Sequence, residues 1–224
     1  MINQKIDKLF NFKEKIIIVT GSSGQIGSSF CKLFLDIGAI VYGFDKGSSR
    51  LKHKNYTYRK VDITKKKIVE KNINLLIKNH QKIDVIINNA GFSVFTKFYE
   101  RTNRELDKTI NINIKGTLNI INSYAKVHKE KKLKKCNIIN IGSIYGIISP
   151  DFRIYEKNGN YNSEIYGATK ASIIQLTKYY SVILSPLNIN VNCLSPGGLY
   201  NHQKPQKRSF IKKYSLRVPK ARMA

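Results

Sequence analysis

Short apolar runs alternate with longer amphipathic stretches from one end of the chain to the other. Lys15–Thr20 (KIIIVT), Ala39–Phe44 (AIVYGF), Ile83–Asn88 (IDVIIN), Asn137–Ile141 (NIINI) and Ile189–Leu194 (INVNCL) are rich in Ile and Val. Such short apolar runs are the pattern of strands buried on both faces of a parallel sheet. Tyr56–Val61 reads as a further, more polar strand. Ile26–Ile37, Lys67–Asn79, Asn103–Lys129 and Ile165–Leu184 repeat apolar positions at helical spacing. Thr102-Asn103-Arg104-Glu105 is a capping box that opens the third helix, and Ser185-Pro186 closes the fourth. Strand–helix alternation of this kind predicts an α/β fold: a doubly wound, Rossmann-like parallel sheet with helices on both faces, in three layers. No internal repeat or linker-like segment interrupts it, so one domain is expected over residues 1–224.

Composition narrows the class. With 42% hydrophobic and 24% charged residues, the chain has the make-up of an ordinary globular domain. No apolar run approaches membrane-spanning length, so no membrane insertion is expected. Met1–Lys15 lacks the uninterrupted apolar core of a secretion signal, and the expected location is the cytoplasm. Cys31, Cys136 and Cys193 stand far apart in no metal-binding or redox spacing, which predicts free thiols and no metal. The formal charge of +26 raises the question of nucleic acid. Lys, Asn and Ile, however, crowd strands and helices alike, as A/T-rich coding would produce. The expectation is no specific nucleic-acid partner, only nonspecific attraction to polyanions at low salt.

The candidate chemistry lies where strands end. The first strand runs directly into Thr20-Gly21-Ser22-Ser23-Gly24-Gln25-Ile26-Gly27 and then a helix. A glycine-rich turn in that context lets the backbone approach a pyrophosphate, and the helix N-terminus offers N–H donors to it. Asp45 closes the second strand, where a carboxylate accepts from ribose hydroxyls and repels a 2′-phosphate; this favours NAD(H) over NADP(H). Asn88-Asn89-Ala90-Gly91 ends the fourth strand, Ser143 follows the fifth and Pro196-Gly197 the sixth, all at the sheet edge where ligands bind. Asn113 is a polar residue in mid-helix, unfavourable there unless it has a task or faces solvent. Tyr166 and Lys170 stand at i and i+4 on one helix face. An ammonium beside a phenol lowers the phenol pKa, which makes Tyr166 a candidate acid/base.

In order and spacing these motifs resemble the short-chain dehydrogenase/reductase family in its single-domain form, over nearly the whole chain from Lys15 onward. The resemblance implies a catalytic set of Asn113, Ser143, Tyr166 and Lys170. Tyr166 would exchange a proton with the substrate oxygen and Ser143 would orient that oxygen. Lys170 would lower the Tyr166 pKa and hold the nicotinamide ribose, and Asn113 would anchor a water linking Lys170 to solvent. It further implies cofactor contacts from Gly21, Ser23, Gln25, Ile26 and Gly27 in the phosphate turn, Asp62 and Ile63 beside the adenine, Asn89, Ala90 and Gly91 along the adenosine, and Pro196 and Gly197 near the nicotinamide. The implied activity is interconversion of a secondary alcohol and a ketone with NAD(H), on a small carbonyl or alcohol substrate. The implied assembly is a homodimer or homotetramer packed through Asn103–Lys129 and Ile165–Leu184.

Three departures from the family pattern add expectations. The glycines read T-G-x-x-G-x-x-G, with Gln25 where a glycine is usual and Gly24 one place early. Ile148–Glu164 is an insertion between Ser143 and Tyr166, expected to form a substrate wall together with residues 198–224. Within it Asp151, Arg153 and Tyr155 are candidates to bond a polyhydroxylated or acidic substrate. With Pro196–Asn201, the insertion resembles members found with surface-polysaccharide and nonulosonic-acid biosynthesis. Finally, a further helix and edge strand follow in the family where this chain reaches Ala224, which predicts an open sheet edge. Lys204–Arg222 carries eight Lys and Arg and no acid, and reads as a solvated face rather than an anion site. Two alternatives compete: a 3-oxoacyl-carrier-protein reductase, disfavoured by Asp45 and the polar insertion, and an inactive NAD-binding protein, disfavoured by the complete catalytic set.

Overall fold

Six strands, β1 (Ile16–Thr20), β2 (Ile40–Asp45), β3 (Tyr56–Lys60), β4 (Val85–Asn88), β5 (Cys136–Ile141) and β6 (Ile189–Leu194), pair in parallel in the order β3-β2-β1-β4-β5-β6. This is a computed structural model, and it describes residues 11–155, 161–202 and 206–224. The strand order reverses between β1 and β4, and the crevice beyond the carboxyl ends of these strands is where such sheets bind ligands. Each expected strand is present, with bounds shifted by a residue or two.

The helices are α1 (Gln25–Asp36), α2 (Lys66–His80), α3 (Asn103–Ile110), α4 (Thr117–Lys131), α5 (Glu164–Ile183) and α6 (Arg208–Ser215). They cover both sheet faces because successive strand residues point to opposite sides. Ile16 and Ile18 join Phe44, Ile73, Leu76, Ile120, Tyr124 and Tyr180 in one core, under α2, α4 and α5. Ile17 and Val19 join Val41, Ile87 and the α1 residues Cys31, Phe34 and Leu35 in the other. The capping box forms: Thr102 Oγ1 accepts from Glu105 N–H (3.3 Å) and the Glu105 carboxylate accepts from Thr102 N–H (2.9 Å).

One expected element differs. The helix read over Asn103–Lys129 is not uniform: Asn111–Gly116 adopts π-helical hydrogen bonding between α3 and α4. The bulge holds Asn113 where its side chain reaches the loop after β4 rather than the next helical turn. The insertion holds a 3₁₀ turn at Phe152–Ile154, and its polar stretch 156–160 lies outside the described residues, as do 1–10 and 203–205. Its described part packs on the C-terminal segment. Ile154, Tyr214 and Met223 form a small core with Tyr155, Tyr200 and Phe210 against it, and Tyr200 N–H donates to Ala224 O at 2.8 Å.

Candidate active site

The phosphate turn is fixed by two glycines. Gly21 has φ +65°, a left-handed conformation that strains any residue with a side chain, and a Cβ there would stand 2.8 Å from Ala90 Cα. At Gly27 a Cβ would overlap the Gly21 carbonyl and stand 2.8 Å from Asn89 Nδ2. Gly24, the residue out of register with the family pattern, is the α1 N-cap in extended conformation, and a Cβ there would meet only Gly21 O, at 3.4 Å. The turn thus keeps glycine where the backbone closes on itself and tolerates the altered spacing elsewhere. Thr20 holds its far side: its Oγ1 accepts from Asn89 N–H and Ala90 N–H, both at 3.0 Å.

In front of the turn lies a cavity of about 590 Å³, lined by Gly21, Ser23, Gln25, Ile26, Asp45, Asp62, Ile63, Asn89, Ala90 and Gly91 among others. Gly27 sits buried beneath it. The Asp45 carboxylate accepts from Ser23 N–H (3.0 Å) and Gly47 N–H (2.9 Å), which pins it at the cavity wall. For Asp62, burial alone would raise the pKa. Hydrogen bonds from Thr64 and the Lys46 ammonium, 3.1 Å away, outweigh it and hold the carboxyl below its usual range. Gln25 Nε2 donates to Tyr200 O at 2.6 Å, bridging α1 and the C-terminal segment. A left-handed glycine, a helix N-terminus and a carboxylate around one cavity fit a dinucleotide.

A second chamber of about 350 Å³ shares Ile26, Asn89, Gly91 and Leu199 with the first. Ser143, Tyr166, Lys170, Pro196 and Gly197 line it. α5 starts at Ser163, whose Oγ accepts from Tyr166 N–H (3.2 Å), so the helix cap sets the position of the phenol. Lys170, one turn on, is buried and donates from Nζ to Ile141 O at 2.6 Å; Nζ lies 5.6 Å from the Tyr166 ring centre. Asn113 is also buried. Its Oδ1 accepts from Phe92 N–H (2.7 Å), and its Nδ2 donates to Phe92 O and Thr169 Oγ1, both at 2.9 Å.

The sequence matches the family model for short chain dehydrogenases over residues 15–210. The chain belongs to the short-chain dehydrogenase/reductase family. It is an NAD(P)-dependent oxidoreductase. A short chain dehydrogenase from Leptospira borgpetersenii, crystallised with NAD+, is similar in structure: TM-score 0.89 and 34% identity, covering 98% of this chain and 83% of that one. A NAD-dependent glycerol dehydrogenase of Listeria innocua is 30% identical over 196 residues, 85% of this chain and 72% of that protein. A post-translational flagellin modification protein of Campylobacter coli is 28% identical over 217 residues, 90% of this chain and 82% of that one.

In this short-chain dehydrogenase/reductase the electrostatics depart from the simple pair expected of Tyr166 and Lys170. Burial pushes the Tyr166 phenol up, and a hydrogen bond with Ser143 pulls it only partly back. Burial also lowers Lys170, to about 8. The ammonium is aimed at the Ile141 carbonyl rather than at the phenol, so the expected lowering of the Tyr166 pKa is not present in the protein alone. Both amide hydrogens of Asn113 are committed to protein, so its side chain braces the β4 loop against α5.

The insertion reaches the chamber through Asn162, not through Asp151, Arg153 or Tyr155. Asp151 binds Arg153 (2.9 Å) and Arg217 (2.5 Å) at the surface, and the Tyr155 hydroxyl pairs with that of Tyr145 at 3.1 Å. None of the three lines the chamber, which instead takes Phe92, Ser93, Phe95, Asn162 and Leu199. Asn162 and Leu199 lie in the two segments expected to wall the substrate, Ile148–Glu164 and 198–224, whereas Phe92, Ser93 and Phe95 escaped sequence reading. Thr20 and Thr169 sit inside the motifs already noted, but Ser93 has no local signal; only the fold brings it beside Asn162. Among the described residues no cluster of His, Cys, Asp and Glu is placed to hold a metal ion, and no helix is long and apolar enough to cross a membrane.

Proposed function

We propose that this chain interconverts a secondary alcohol and a ketone with NAD(H), with Tyr166 moving the proton. One observation carries the reading: Tyr166, Ser143 and Lys170 face one small chamber that opens onto the dinucleotide cavity. A bound nicotinamide supplies or accepts the hydride. Tyr166 gives the phenol proton to the substrate oxygen or takes it back, and the Ser143 hydroxyl holds that oxygen and the phenol in line. Lys170, charged below about pH 8, offsets the negative charge that develops on Tyr166. Asn113 keeps the β4 loop and α5 at fixed spacing and so acts as a positioning residue. Gly21, Ser23, Gln25, Ile26 and Gly27 would hold the phosphates, Asp62 and Ile63 the adenine, Asn89 to Gly91 the adenosine, and Pro196 and Gly197 the nicotinamide.

The reading extends to a sugar-type substrate, as handled in surface-polysaccharide or nonulosonic-acid biosynthesis. The mixed polar and apolar chamber and the similarity to a glycerol dehydrogenase support a polyhydroxylated molecule. A homodimer or homotetramer through α3, α4 and α5 belongs to the same proposal. On α5, Tyr179, Val182 and Ile183 are more than half exposed. A cytoplasmic location agrees with the free thiols of Cys31, Cys136 and Cys193.

Asp45 supports NAD(H) over NADP(H), because a carboxylate on the cavity wall would meet a 2′-phosphate with like charge. A fluorescence titration is expected to show NADH binding at least about tenfold more tightly than NADPH, and Asp45→Ala to narrow the gap, as removal of one unfavourable charge contact predicts. Equal or tighter binding of NADPH to the unaltered protein would overturn the assignment.

A further inference from the structure

Ser93 and Asn162 come from opposite walls of the chamber. Ser93 lies on the loop after β4, and Asn162 immediately precedes Ser163, the α5 cap. Ser93 Oγ donates to Asn162 Oδ1 at 3.1 Å. That bond uses the only hydroxyl proton of Ser93 and leaves its lone pairs free to accept. It also leaves the Asn162 amide group with hydrogens that have no partner among the described residues. The two side chains together present an acceptor beside a donor. Rotating the amide exchanges their parts but again leaves one donor and one acceptor.

We infer that Ser93 and Asn162 form a subsite that reads a hydroxyl group of the substrate other than the one being oxidised. The inference rests on the chamber's being the substrate site of the proposed oxidoreductase. A hydroxyl both donates and accepts, so it satisfies both groups at once. A carboxylate offers only acceptors and an ammonium only donors. The remaining lining agrees with a neutral ligand. Among the described residues no acidic side chain lines the chamber, and the one cation there, Lys170, is bonded to the Ile141 carbonyl. Phe92, Phe95 and Leu199 supply the apolar surface that would cover a carbon skeleton. A substrate without the second hydroxyl would leave the polar pair desolvated and unpaired, and this rejects simple alcohols more strongly than lost contact area would. The substrate class is therefore a polyol or a hydroxyketone.

Butan-2-ol, butane-2,3-diol and butane-1,3-diol test this, since all three carry a secondary alcohol on four carbons and the diols add one hydroxyl at different distances. Dissociation constants come from NMR titration of the whole chain, with and without NADH, and turnover from NAD+ reduction. At least one diol is expected to bind about tenfold more tightly than butan-2-ol, the worth of one or two net hydrogen bonds. In Asn162→Ala and in Ser93→Ala that preference should shrink to about twofold while butan-2-ol binding stays unchanged. A pair that only latched the two walls together would weaken all three alcohols alike. No diol preference in the unaltered protein overturns the subsite, as does a preference that survives both substitutions. Diol preference without NAD+ reduction would uphold the subsite and sink the dehydrogenase reading; reduction without preference would do the reverse.

Discussion

Tyr166→Phe is expected to lower kcat about 10²- to 10⁴-fold, the usual worth of a positioned acid/base group, with NADH affinity nearly unchanged. The substitution removes one oxygen and keeps the ring. The Ser163 cap bonds the backbone N–H of residue 166, so α5 should start in the same place. The other hydroxyls lining the chamber, those of Ser143 and Ser93, have much higher intrinsic pKa values than a phenol and make poor replacements. Burial keeps the phenol protonated in the free protein, which prepares it to donate in the direction of ketone reduction. Steady-state kinetics paired with an NADH titration separates the two effects. Undiminished turnover would remove Tyr166 from the chemistry, and a parallel loss of NADH binding would give it a structural role instead.

Gly27→Ala should be the most damaging single-methyl change in the cofactor site. The added Cβ would overlap the Gly21 carbonyl, a backbone atom that cannot swing aside, and crowd Asn89 Nδ2 at 2.8 Å. Gly21 and Asn89 both line the dinucleotide cavity, so relief of the clash must move the wall that receives the phosphates. NADH affinity is expected to fall by about 100-fold or more, the order seen when close steric fit is lost at a preorganised site. Gly24→Ala is the control. Its Cβ meets only Gly21 O, at ordinary contact distance, and its extended backbone suits any residue, so its loss should be far smaller. Equal losses for the two variants in a fluorescence titration would refute the assignment of Gly27 as the closing glycine.

The legible parts of this fold were those written in local sequence. Buried parallel strands announced themselves as Ile- and Val-rich runs, and the Gly21–Gly27 turn, Asp45, Ser143 and the Tyr166/Lys170 pair each stand at the end of a strand or on one helix face. Features that depend on distant partners were hidden. The π segment at Asn111–Gly116 follows from Asn113 reaching Phe92 and Thr169, and no periodicity in the helix reports it. The i, i+4 spacing of Tyr166 and Lys170 was read correctly, but their ionisation depends on burial and on the Ile141 carbonyl from β5. Asp151, Arg153 and Tyr155 looked like substrate ligands by type and position. They are instead consumed by one another, Arg217 and Tyr145, while Asn162 of the same insertion lines the chamber.

In the proposed reaction a hydride passes between nicotinamide and a secondary carbinol carbon at Tyr166. NADH deuterated at both C4 positions, incubated with the protein and acetoin (3-hydroxybutan-2-one), tests it when the product is examined by mass spectrometry. The expected product is butane-2,3-diol with one deuterium on the newly formed carbinol carbon, nearly absent with Tyr166→Phe. Absence of labelled diol with the unaltered protein, or equal labelling by both proteins, would contradict it.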